Sequence, residues 1–160
     1  MSTQIIKYPN SILTTRCSEF DFTNPSIDPN LLADALMTAM YERNGIGLAA
    51  NQINIPTRVF VIRGDEYNFV CYNPKIVSYS NKTNILEEGC LSFPGLMVKI
   101  KRPEEIRVRF QTPSGATDTK TFTGLTARIF QHELDHLDGI LFYNRANRFH
   151  REQALRKWNK

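Results

Sequence analysis

The chain has 160 residues, 41% of them hydrophobic and 22% charged, with a formal net charge of +4. That is the composition of a folded, water-borne domain, and the length suffices to bury a core without disulfide staples. No apolar run approaches the ~18 residues of a membrane span, and the first seven residues have neither an apolar core nor a transit-peptide composition, so insertion and export are not expected.

The first 27 residues read as mostly loop, punctuated by Pro9 and Pro25. A helix is then predicted from Asp28 as N-cap, Pro29 at the first helical position, and Leu32, Leu36, Ala39 and Met40 on one face. It stops at Asn44-Gly45. Val59-Phe60-Val61-Ile62 and Phe69-Val70-Cys71-Tyr72 flank Gly64-Asp65 and predict a hairpin. Residues 87–95 are turn-rich. Ile106, Val108 and Phe110 alternate with charged neighbours, as in a strand with one wet face, and residues 112–115 read as a turn. A second helix is expected from about 125 to 137, ending at Gly139, and a short basic third at about 148–158. Strands clustered between helices, without regular βαβ alternation, give an α+β fold of mainly antiparallel sheet, expected as a single domain over 1–160.

His132-Glu133-Leu134-Asp135-His136 carries the strongest chemical signal. On a helix, positions i and i+4 lie one above the other, so both imidazoles reach one metal ion. Glu133 is then placed to take a proton from a water held there. A catalytic site of this kind needs a third protein ligand. Downstream, the position where metzincin proteases place a third histidine is Phe142, and the remaining acid, Glu152, sits in a basic tail. Upstream, Cys90 lies in the turn-rich segment and offers a thiolate; spacing alone reads equally well as a buried structural cysteine. Cys17, Cys71 and Cys90 lack any Cys-x-x-Cys spacing, which argues against a disulfide framework and for the cytoplasm. Residues 45–52, Gly-Ile-Gly-Leu-Ala-Ala-Asn-Gln, follow a helix rather than a strand, so a phosphate loop is not expected and a tight packing turn is. Their small residues also permit close approach to a ligand, with Gln52 offering an amide N–H to an oxyanion.

Together, the segments at 45–52, 88–92 (Glu-Gly-Cys-Leu-Ser) and 131–139 (Gln-His-Glu-Leu-Asp-His-Leu-Asp-Gly) resemble the three signatures of the peptide deformylases, in family order. The likeness runs from Ile6-Lys7-Tyr8-Pro9 to about Tyr143. Two departures stand out: Arg128 occupies a pocket position that is usually apolar, and the tail after Gly139 is short.

The resemblance implies an α+β fold packed around a central metal-binding helix, and a hydrolase that removes the formyl group from the N-terminal formyl-methionine of newly made proteins. Cys90, His132 and His136 would bind one divalent ion, Fe(II) physiologically and Zn, Ni or Co as substitutes. Glu133 would be general base and then proton donor, with Gln52 and the Leu91 N–H stabilising the oxyanion. Main chain at Ile46, Gly47 and Gly89 would hold the peptide as an added strand, while Ile46, Leu91, Leu125, Ile129 and the flank of His132 form the methionine pocket. There Arg128 would lay its stem on apolar surface with its head in water. Formyl-methionyl nascent peptides are the expected partners, with a monomeric enzyme and no DNA or membrane partner. In the tail, Leu155 and Trp158 share a face, leaving Gln153, Arg156, Lys157 and Lys160 as an outward basic stripe, which reads as a solvated helix face or, alternatively, as a surface for ribosome contact. From the residues alone, a zinc endopeptidase would use the same His-Glu-His helix without Cys90, and a non-catalytic RNA-binding protein would use the tail without Glu133.

Overall fold

A computed structural model describes residues 3–159. The carboxylate of Asp28 accepts the free N–H groups of Asn30 and Leu31, opening α1 (Pro29–Glu42). Leu32, Leu36, Ala39 and Met40 are buried along one stripe. Asn44, at φ 53°, turns the chain out of the helix, and the Gly45 N–H returns to the Met40 carbonyl.

The main sheet is built from β1 (Gly47–Ala49), β2 (Val59–Ile62), β3 (Phe69–Tyr79), β6 (Glu105–Gln111) and β7 (Thr117–Thr123), in the order β1-β2-β3-β6-β7. Every neighbouring pair is antiparallel. The expected hairpin is β2–β3, and Ile106, Val108 and Phe110 are the buried half of β6. Two sequence expectations are corrected. Residues 87–95 are mostly strand: β4 (Thr83–Cys90) and β5 (Phe93–Pro103) form a separate hairpin whose turn is Leu91-Ser92. Residues 45–52 are not a bare turn: they hold β1 and the start of the 3-10 turn Ala50–Ile53.

Helix α2 (Gly124–Leu137) is central. Ala127, Phe130 and Leu137 pack with Phe60, Val108 and Phe122 of the main sheet. The opposite side turns Arg128, His132 and Asp135 toward the β4–β5 hairpin, and all three are buried. A helix buried on both sides that carries this many charges is an uncommon arrangement, because each charge must find a partner. Helix α3 (Arg148–Trp158) lies on β5, with Ala154 buried and Leu155 and Trp158 packed against the apolar cluster of Phe93 and Leu96. The Trp158 indole donates to the Pro94 carbonyl at 2.8 Å. Gln153, Arg156 and Lys157 are exposed, as the stripe requires. Lys160 lies outside the described residues.

Candidate metal centre

The hairpin brings Cys90 to the helix. Glu88 pairs with Val98 in register, then the ladder shifts so that Cys90 faces Phe93. The irregularity falls at Gly89, where a Cβ would stand 2.7 Å from the Met97 sulfur. Cys90 Sγ ends 3.1 Å from His136 Nε2. One ligand atom from each of Cys90, His132 and His136 lies within 4.8 Å of the others. Cys90 thus meets two histidines that lie 42 and 46 residues further along the chain, while Cys17 and Cys71 are buried elsewhere, unpaired.

The donors fit a metal ion. Burial holds His136 well below the usual histidine range, so it is neutral as a ligand must be. His132 is oriented from behind: its Nδ1 is 2.9 Å from Glu88 Oε1, which directs Nε2 toward the other donors. Glu88 in turn accepts two hydrogen bonds from Arg102, Nε at 2.6 Å and Nη2 at 3.0 Å. Arg102 also reaches Asp135 at 3.0 Å, and Arg145 covers Asp135 at 2.8 Å. No local motif in the sequence marks these supporting roles of Glu88, Arg102 and Asp135. The inward position of Arg102 is signalled: Leu96, Val98 and Ile100 alternate inward along β5, and Arg102 continues the inward series.

Burial would raise the Glu88 carboxyl, but the hydrogen bonds from His132 and Arg102 outweigh it and hold the value at about 2, against a usual 4.5. The folded value lies below the unfolded one, so this stabilisation is complete above pH 4.5 and lost as pH falls toward 2. Glu88→Gln should therefore unfold at lower urea at pH 7, by about 3 kcal/mol as for a broken buried pair. Its stability should also vary less between pH 4.5 and 2 than that of the parent chain; an unchanged acid limb in urea titrations would contradict this.

Glu133 sits between the histidines yet outside the donor cluster. Burial pushes its carboxyl up to about 7, against the opposing pull of His132. Its Oε1 is buried without a hydrogen-bond partner among the described residues. Gly47 makes room for it: a Cβ there would stand 2.6 Å from Glu133 Oε2 and 2.8 Å from the Ile129 side chain. Gln52 is fixed through its own carbonyl, which accepts the Ala49 N–H at 3.0 Å, so its amide group points at Ser92 Oγ (3.0 Å) and Cys90 Sγ (3.6 Å). Ser92 is held by the Ile6 carbonyl at 2.7 Å.

A cavity of about 700 Å³ opens beside this cluster. Ile46, Gly47, Gln52, Gly89, Cys90, Leu91, Leu125, Arg128, Ile129, His132 and Glu133 all line it. Arg128 departs from the expectation that its head would lie in water. The residue is 4% exposed, and its guanidinium binds Glu88 Oε2 at 2.5 Å and the Ile100 carbonyl at 3.0 Å. A guanidinium released into the cavity would leave Glu88 with one cation fewer, so burial with a partner prevails over solvation.

The family model for polypeptide deformylase matches residues 2–152. The chain belongs to the peptide deformylase family. A peptide deformylase of Aquifex aeolicus is 39% identical over 166 aligned positions, covering 100% of this chain and 96% of that protein. A crystal structure of the Plasmodium falciparum deformylase superposes with a TM-score of 0.89 at 35% identity, covering 98% of this chain and 93% of that one. A class I type b deformylase of Acinetobacter baumannii, solved with Met-Ala-Ser bound, gives a TM-score of 0.83 at 35% identity over 91% of this chain and 99% of that one. The chain spans about half the length, 55% and 53%, of two plant organellar deformylases that it matches at 37% and 38% identity. Among the described residues, no helix is long and apolar enough to cross a membrane.

Proposed function

We propose that this deformylase-family chain works as a single catalytic domain that hydrolyses the N-terminal formyl amide of formyl-methionyl nascent peptides, releasing formate and a free amine. The observation that carries the reading is the convergence of Cys90, His132 and His136 beside Glu133 at the wall of a cavity with apolar lining. A divalent ion held by those three would supply Lewis-acid chemistry, polarising a carbonyl and lowering the pKa of water. Thiolate and imidazole donors suit Fe(II), Zn, Co and Ni alike, with Fe(II) the physiological choice we favour.

Glu133 takes the proton of the attacking water and delivers it to the amine nitrogen as the C–N bond breaks. The Gln52 amide and the Leu91 N–H donate to the oxygen of the tetrahedral carbon. Main chain at Ile46, Gly47 and Gly89 holds the peptide as an added strand. Leu125 and Ile129, with Ile46, take the first side chain; that a relative from Acinetobacter baumannii binds Met-Ala-Ser supports a peptide that begins with methionine.

Selectivity follows. The Arg128 guanidinium is committed to Glu88, Ile100 and Asn84, so it offers no counter-charge to an acidic side chain. Formyl-Met peptides should exceed formyl-Asp peptides by about 10²-fold in kcat/KM, because an unpaired carboxylate is costly in an apolar slot. Formate release measured on the two peptides tests the reading, and equal rates would contradict it. Cleavage inside the peptide without formate release would favour an endopeptidase instead.

We place the enzyme in the cytoplasm as a monomer, beside translating ribosomes. Exposed Arg156 and Lys157, on a helix docked through Trp158, support contact with ribosomal RNA. Changing both to Ala should weaken co-sedimentation with ribosomes at low salt while sparing hydrolysis of a short peptide; unchanged sedimentation would reduce the stripe to a solvated face.

A further inference from the structure

The metal donors come from two bodies that share little apolar packing. Among the described residues, the apolar cluster beneath the hairpin, with Phe93, Leu96, Val98 and Ile100, contains no side chain of α2. The cluster that holds α2 to the main sheet contains none from β4 or β5. Cys90 belongs to the first body and His132 and His136 to the second, so their mutual geometry depends on what crosses between them.

Charged and polar side chains make that crossing, and Arg128 spans it most widely. Its Nη1 donates to Glu88 Oε2 at 2.5 Å and to the Ile100 carbonyl at 3.0 Å. Its Nη2 donates to the Asn84 carbonyl at 3.0 Å and to Asn84 Oδ1 at 2.9 Å. One helical side chain therefore grips both strands of the hairpin, a geometry for which a planar five-donor fork is suited and an ammonium is not. Arg128 lies four residues before His132, on the same face of α2. Glu88 lies two residues before Cys90 on β4 and holds His132 Nδ1 through its other oxygen. The loop Arg128–Glu88–His132 thus closes on the helix itself.

We infer that Arg128 is a positioning residue for the metal centre: its guanidinium locks the Cys90 hairpin to the histidine helix, while its stem serves as cavity wall. The inference rests on Cys90, His132 and His136 being the metal ligands. A cavity wall alone would need only the stem, whereas burying the head demands every one of these partners.

The test uses Co(II) as a spectroscopic probe in the whole chain and in Arg128→Leu, Arg128→Lys and Asn84→Ala. The thiolate-to-Co(II) charge-transfer band, the visible ligand-field bands and the rate of Co(II) loss to EDTA are measured, together with kcat and KM. Arg128→Leu should shift the bands and release Co(II) about 10-fold faster, as loss of a supporting contact behind a ligand does. Its kcat should fall more than its KM rises, and Arg128→Lys should be intermediate. Asn84→Ala, which keeps the Glu88 contact, should release Co(II) about 3-fold faster, in line with one lost hydrogen bond. A folded Arg128→Leu protein with parental bands and release rate overturns the inference. If that variant does not fold, a parental release rate in Asn84→Ala overturns it. A parental chain that shows no thiolate band with Co(II) overturns the ligand assignment itself, a different failure.

Discussion

Glu133→Gln should keep its metal and lose about 10²-fold or more of its turnover. Glutamine preserves the shape of the side chain and fills the space left by Gly47, so the cavity and the donor cluster should persist. What disappears is the capacity to take and return a proton. Glu133 is suited to both steps because burial raises its carboxyl to about 7, and near neutral pH such a group exchanges protons in either direction at small cost. Its Oε1 has no partner among the described residues and its carboxylate is not one of the three donors. Metal content and kcat measured on the same preparation separate the roles. Normal metal with near-normal turnover would contradict the general-base assignment, and lost metal would make Glu133 a ligand.

The second large effect is expected at Cys90. Cys90→Ala removes a donor outright, so metal affinity should fall by more than the ~10–100-fold that losing a contact behind a ligand costs. Activity should fall with it, since two imidazoles remain without the thiolate that completes the cluster. Cys71 is the control: it is fully buried in the main-sheet core, where burial pushes its thiol well above the usual range. Cys71→Ala should leave metal content unchanged, apart from the stability lost with a small buried side chain. Full metal content and full activity in Cys90→Ala would reassign the third ligand.

The legible parts of this chain were those where a local pattern has one physical solution. Asp28-Pro29 with a 3.6-residue apolar stripe could only open a helix, and His132 and His136 at i, i+4 had to share a face. The β4–β5 hairpin was harder to see, because the Gly-Cys-Leu-Ser-Phe-Pro-Gly run suggests turns while the ladder hydrogen bonds that make it strand are set by a partner further along. Strand β7 offered only Phe122 as a buried apolar residue, too little for a period of two to register, and it survives as an edge strand paired to β6. The burial of Arg128 is hidden from the sequence for a related reason. A lone arginine beside an apolar pocket ordinarily keeps its head wet; what reverses this is Glu88, 40 positions away, and spacing in the sequence does not reveal that encounter.

The most direct measurement follows formate and free amine together from a formyl-Met-Ala-Ser peptide, before and after stripping with a chelator and after return of Fe(II) under anaerobic conditions, or of Ni or Co. Equimolar formate and amine are expected from the loaded chain, with loss of both when the metal is removed and recovery on its return. Absence of formate release from a metal-loaded, folded chain, or release that persists when no metal remains, would contradict it.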